Sequence, residues 1–385
     1  MGVYLDNNAT TQPLPEVIES VAESMRGLWN NPSSGYSAAG HVRQELEEAR
    51  ERVAQFVDAS PESVVFTSGG TEANNSAIRI ALESAKKGKT RVVTSAMEHA
   101  SVLQMLPEIE GLGFEVIEIA ADSTGMIRTD EFLSAIDDNT ALVSLQWVNN
   151  ETGVVQPVEE VAKKCREWGC LFHTDAAQAV GKIPVSFQRI GADLMTFTAH
   201  KIHGPLGAGA LVSKIPSKKA PLLAGGTQER GVRPGTENTP AIIGFGEAAR
   251  LRYERLDWVV EHCKRLRDRF ESRVLEKIPE VQLNCAGATR IVNTTSFYFP
   301  DVEGEALVNN LDVNGVECSQ TSACTHARPE PSHVLTAMGF SEEKAYSSVR
   351  FGFSELNTME EAEFAADVVV EAFQRLQSIQ KILVG

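Results

Sequence analysis

One lysine, one aspartate and one glutamine stand where carbonyl–amine chemistry would need them. Lys201 lies in Asp193-Leu-Met-Thr-Phe-Thr198-Ala-His200-Lys201-Ile-His203-Gly204-Pro205, directly after an apolar run and before a glycine- and proline-containing cluster. That context predicts a strand delivering the lysine to a turn at the edge of a sheet. About 26 residues upstream, Leu171-Phe-His173-Thr-Asp175-Ala-Ala-Gln178 has the same form and ends in a carboxylate. An amine that can form a Schiff base and an acid that can hold a pyridinium nitrogen are the groups pyridoxal phosphate most requires of a protein. Taken singly, Lys201 reads as a solvated surface residue. Its context, with Asp175, Gln178, His200 and the glycines, turns the reading towards the cofactor.

Further segments carry compatible chemistry. Ser68-Gly-Gly70-Thr71-Glu72-Ala-Asn74 follows an apolar strand and opens a helical pattern. Small residues there let backbone amides approach an anion at a helix N-terminus, although a plain helix cap would look the same. His99, in Met97-Glu98-His99-Ala-Ser101, follows the strand Arg91–Thr94. It is placed to stack on an aromatic cofactor and move protons, or to cap a helix. Val148-Asn149-Asn150-Glu151-Thr-Gly153 reads either as turn chemistry or as a contact to a ring oxygen or a substrate carboxylate. The stretch Gly225–Asn238 sets Arg230, Arg233 and Thr236 on one loop suited to phosphate or carboxylate. Cys324 lies in Cys318-Ser-Gln-Thr-Ser322-Ala-Cys324-Thr-His326-Ala-Arg328, a polar, partly cationic setting that favours an exposed thiolate. Arg350, within Ser347-Ser-Val-Arg350-Phe-Gly-Phe, is costly to bury unpaired and calls for a carboxylate partner.

These residues need a large scaffold, and 385 residues suffice for a large domain plus a smaller one. Seven short apolar strands alternate with helical patterns: Ser63–Thr67, Arg91–Thr94, Phe114–Ile117, Ala141–Leu145, Leu171–His173, Leu194–Phe197 and Ala208–Val212. The alternation predicts an α/β fold with a mostly parallel sheet covered on both faces. A long charged helix over Val259–Glu280 then leads to a smaller α+β region, with strands near Thr294–Phe299 and Val349–Phe353, helices near Glu303–Leu311 and His333–Met338, and a terminal helix from Thr358. The expected domains are residues 12–257 (large) and residues 1–11 with 258–385 (small, carrying the Cys324 loop). With 36 basic against 52 acidic residues, the formal charge of −16 argues against nucleic acid and anionic membranes as partners. No apolar run approaches membrane-spanning length, no secretion signal is visible, and the six cysteines form no CxxC pair. The expected setting is cytoplasmic, with no metal site.

As a set, the segments resemble the NifS/IscS-type cysteine desulfurases, the class V branch of fold-type I pyridoxal phosphate enzymes. The similarity runs almost end to end, through Tyr4-Leu-Asp6-Asn-Asn8, Asn31-Pro-Ser-Ser34, Thr67–Glu72, Glu98-His99, Asn149-Asn150, His173–Gln178, Ala199–Pro205, Gly226–Thr236, Ser322-Ala-Cys324-Thr and Ser347–Phe351. The resemblance implies that Lys201 binds the cofactor and later acts as proton-transfer base. It implies that Asp175 pairs with the pyridinium nitrogen, His99 stacks on the ring, Gln178 bonds the phenolic oxygen, and Asn150 lies near the ring or substrate. Gly70, Thr71, Thr198 and His200 would hold the phosphate, with Thr236 reaching over from the second subunit of a homodimer. Arg350, with Asn31 or Asn150, would clamp the carboxylate of L-cysteine. The Cys324 thiolate would attack the substrate sulfur, become a persulfide and pass the sulfur to an acceptor protein such as an Fe–S scaffold, leaving L-alanine.

The sequence departs from the family's frequent Ser-Ser-Gly-Ser-Ala-Cys, reading Cys318-Ser-Gln-Thr-Ser-Ala-Cys instead. It also ends at Gly385 without the C-terminal segment by which housekeeping members dock their scaffold, which leaves the acceptor open. An aminotransferase would have no use for Cys324, a selenocysteine lyase would retain it, and a non-enzymatic relative would have lost Lys201, Asp175 or Cys324.

Overall fold

The computed structural model describes residues 2–216, 222–320 and 331–384, the side chains of 381–384 excepted. Its main sheet has seven strands: β1 (Val64–Thr67), β2 (Arg91–Ser95), β3 (Glu115–Ile119), β4 (Thr140–Ser144), β5 (Leu171–Asp175), β6 (Leu194–Thr198) and β7 (Gly209–Ser213). Their order is β1-β7-β6-β5-β4-β2-β3. All neighbours are parallel except around β7, which runs antiparallel to both β1 and β6. Strands β4 and β6 are buried at every position, as expected of a sheet with helices on both faces. Each strand predicted from the sequence is present, with ends shifted by a residue or two.

A second sheet comprises β8 (Gln282–Leu283), β9 (Thr294–Tyr298), β10 (Ser319–Gln320) and β11 (Ser348–Gly352), all antiparallel in the order β10-β11-β9-β8. The chain's start joins this region. Val3–Tyr4 pairs in parallel with Val316–Glu317, and Asp6 bridges to Gly352. Its core is aromatic: the Phe270 ring lies 4.9 Å from Phe351 and 5.4 Å from Phe353, with Phe297 beside them.

One helix departs from expectation. The charged segment expected over Val259–Glu280 is the second half of a single helix, Thr239–Lys277. The earlier start follows from local chemistry. The Asn238 side chain caps the Ala241 amide, Pro240 occupies the first turn, and the run Ile242, Phe245, Ala248 and Ala249 is buried in the core of the main sheet. Its later turns bury Leu266, Phe270 and Val274 in the second core, so one rigid element spans both cores. Among the described residues, no helix is long and apolar enough to cross a membrane.

Candidate active site

The carboxyl ends of β5 and β6 open into a cavity of about 310 Å³, where ligands collect in open α/β sheets. The fold brings Asp175, Gln178, Thr198, His200 and Lys201 to it from these two strands and their turns. Gly70 and Thr71 reach it from the N-terminus of the Gly70–Ser84 helix, His99 from the turn after β2, Asn150 from the loop after β4, and Arg350 from β11 in the second sheet. The phosphate-type loop approaches closely because β7 carries a glycine. A Cβ at Gly209 would lie only 2.6–2.8 Å from the Gly69 backbone.

Asp175 is buried and held from two sides. Asn74 Nδ2 donates to one carboxylate oxygen at 2.7 Å, and the Ala177 amide donates to the other at 2.9 Å. Asn74 is itself fixed, because its carbonyl oxygen accepts from the Thr196 hydroxyl. Its amide also donates to Ser101 Oγ at 2.8 Å, and Ser101 Oγ lies 2.7 Å from His99 Nδ1. Because the Ser101 backbone N–H also donates to Nδ1 (3.1 Å), neutral His99 carries its proton on Nε2. His99 therefore caps the short Ala100–Leu103 helix and lines the cavity at once. Beneath this layer, His173 is wedged between Ser144 and Thr196, and burial pushes its imidazole down to about 4.

Lys201 Nζ donates to the carbonyls of Asn8 (2.5 Å) and Ala9 (2.6 Å). Burial and the Lys201 and Lys182 charges lower His200 to about 4, so this imidazole is neutral at physiological pH. Arg350 has the carboxylate partner its setting demanded, Asp6 at 2.7 Å, and also donates to the Asn150 carbonyl at 3.1 Å. Its buried Nε finds no acceptor among the described residues. The neighbouring Asn149 does the turn chemistry, its carbonyl oxygen accepting from the amides of Glu151 (2.9 Å) and Thr152 (3.0 Å).

Several sequence candidates lie elsewhere. Asn31 is exposed, its side chain accepting from the Ser33 amide. Thr236 is exposed beside a separate hollow with Ser68 and Gly235. The arginines of its loop are engaged within the chain: Arg233 with Glu72, Arg230 with the carbonyls of Pro61, Glu62 and Val64. Glu229, in the same loop, forms a buried two-pronged pair with Arg50. Cys324, with Ser322, His326 and Arg328, lies outside the described residues. Cys165, Cys170, Cys263 and Cys285 are buried, and the Cys318 thiol is raised by burial and by Asp6.

Sequence reasoning gave no individual role to Asn8, Asp6, Ser101 or Asn74, each quoted only as part of its segment. Asn8 and Asp6 act from a distant part of the chain, mostly through backbone carbonyls or a single pair. The legible signal was the polar run Asp6-Asn-Asn8 after an apolar pair.

The donor set matches pyridoxal phosphate. An amine and a carboxylate face one cavity, a neutral imidazole and an amide flank them, and hydroxyls gather at a helix N-terminus. The aminotransferase class-V family profile matches residues 3–364. A cysteine desulfurase of Nostoc sp. is 41% identical over 377 residues, covering 98% of this chain and 94% of that protein. Cysteine desulfurase IscS of Dictyoglomus turgidum is 40% identical, covering 98% and 96%. Among solved structures, a NifS-like protein shares the fold with a TM-score of 0.91 at 33% identity, over 98% of this chain and 100% of the other. A NifS-like protein from Rickettsia africae gives 0.85 at 30% identity, over 98% and 100%.

Proposed function

Because the chain belongs to the aminotransferase class-V family, among its cysteine desulfurases, we propose that cysteine loses its sulfur in the Lys201 cavity. The enzyme depends on pyridoxal phosphate and converts L-cysteine to L-alanine. When bound, the cofactor withdraws electrons from the substrate's carbon skeleton. What the chain supplies is position and proton transfer. Lys201 would hold the cofactor, and its Nζ would take the substrate's α-proton. Asp175, locked by Asn74 and Ala177, would pair with the ring nitrogen. His99 would stack on the ring, and Gln178 would donate to the ring oxygen. Gly70, Thr71, Thr198 and His200 receive the phosphate, with Thr236 contributed by a second subunit. Arg350 takes the substrate carboxylate beside Asn150, and Asn31 assists. The observation supporting these roles is that Lys201, Asp175 and Arg350, from three separated stretches of sequence, line one cavity.

Cys324 takes the sulfur. Its thiolate bonds to the substrate sulfur as the carbon–sulfur bond breaks, the electron pair staying with the carbon fragment, which gains a proton and leaves as alanine. The raised thiol of Cys318 argues for Cys324 as the nucleophile, because the thiolate is the reactive form. The persulfide then passes to an acceptor such as an Fe–S scaffold, in a cytoplasmic homodimer whose large domain spans 12–257 and whose small domain comprises 1–11 and 258–385. The test is Cys324→Ser. Cofactor binding should persist while sulfide and alanine release fall to background, and mass spectrometry of the parent should find one added sulfur on the Cys324 peptide. Sulfur on Cys318 alone, or undiminished turnover, would overturn the assignment.

A further inference from the structure

Lys182 has no part in the chemistry above, yet it is buried next to it. It follows Gln178 by one tight turn, and Gly181 makes that turn possible. Gly181 adopts φ +78, and a Cβ there would come within 2.7 Å of Ile202. The turn points Lys182 into a small cavity of about 20 Å³ behind the site, shared with Lys201, His203 and Arg252. Lys182 Nζ contacts Gln178 Oε1. On its other side, Gln178 Nε2 donates to the Asn8 carbonyl at 2.9 Å.

These two contacts settle which way the amide faces. A backbone carbonyl only accepts, so the atom beside Asn8 is the NH₂ group, and the atom beside Lys182 is the oxygen. Without Lys182 the buried amide keeps only the Asn8 contact, and nothing else among the described residues holds its plane in place. An amide that swings about that one contact no longer aims its second N–H at the cofactor's ring oxygen.

We propose that Lys182 is a positioning residue that locks the Gln178 amide so that Nε2 faces the cofactor's ring oxygen as a donor. The proposal rests on the reading of Gln178 given above. The charged or titratable groups that face Lys182 are Lys201, Arg252, Arg350, Cys263, His200 and His203, and burial lowers the amine well below its usual value. Whether charged or neutral, Lys182 retains an N–H for the oxygen.

The experiment follows the pH midpoint of the visible absorbance of the cofactor on Lys201, without substrate. A donor at the ring oxygen stabilises its negative charge and lowers that midpoint, so Gln178→Ala should raise it by about one pH unit, the worth of one hydrogen bond. Lys182→Met should raise it in the same direction and leave no further shift in the Gln178→Ala background. Lys182→Leu, run through the same cycle, substitutes if the Met variant does not load cofactor. An equal Lys182→Met shift in both backgrounds would mean that its charge acts directly and would overturn the proposal. So would a Gln178→Ala shift with no Lys182→Met shift in either background. A Gln178→Ala variant with an unmoved midpoint would instead remove the underlying role of Gln178, and the proposal with it.

Discussion

The polar layer around Asp175, beside the Lys201 cavity, and the aromatic core of the second sheet are both buried, but they are built from opposite materials. Around Asp175 the packing is directional: Thr196, Asn74, Ser101 and His99 each place the next through a hydrogen bond. Around Phe270 it is shape alone, with Phe297, Phe351 and Phe353 meeting at tilted or edge-on angles. A hydrogen bond fixes an atom's position and role, whereas ring packing mainly contributes burial free energy. The polar region should therefore respond to substitution in its chemistry, and the aromatic region in its stability.

The sharpest break between them is Lys201→Ala. Turnover should fall by more than about a thousandfold, with loss of the lysine-bound visible band, because covalent attachment and proton transfer vanish together. Turnover at the parent rate would refute the role of Lys201. Phe351→Ala should do the reverse. It should cost about 3–5 kcal/mol in denaturant unfolding, while the folded fraction keeps its cofactor affinity. A loss of affinity per folded molecule would show that the two regions are energetically one.

His173 tests whether the polar region also carries stability. Its folded imidazole titrates near 4 because of burial, below the ordinary value of 6.5. The unfolded chain thus binds the proton first. Stability is fully present above about pH 6.5 and declines as pH falls towards 4, by on the order of 3 kcal/mol. His173→Gln should flatten that decline in unfolding free energies measured across the window. An unchanged pH profile would assign the acid sensitivity elsewhere, with His200 and His203, lowered to about 4 and about 3 with burial the leading cause, as the other lowered imidazoles among the described residues.

The smallest effect belongs to Asn74→Ala. Asp175 would keep its Ala177 contact and lose its side-chain partner. A loss of about tenfold in kcat is expected, the worth of one charge-assisted hydrogen bond, with little change in KM. A change in KM alone would place Asn74 in substrate binding instead.

Much of this was legible without coordinates. Short apolar runs alternating with helical patterns located all seven strands of the main sheet, and strand ends followed by Asp, His or Lys marked the chemistry, because strand carboxyl ends are where an open sheet exposes side chains. The long helix was half missed, since its first turns are apolar and interrupted by Gly244 and Gly246, which weakens a helical reading.

By itself, the sequence determined the residue types at the site, their local elements and the family resemblance, all of which rest on short-range pattern. Tertiary structure alone decided that Arg350 pairs with Asp6 across 344 positions. It also decided that the Asn8 carbonyl receives both Lys201 and Gln178, and that Arg233 spends its charge on Glu72. Such pairings depend on how elements far apart in sequence are laid against one another, and a linear pattern holds no record of that approach.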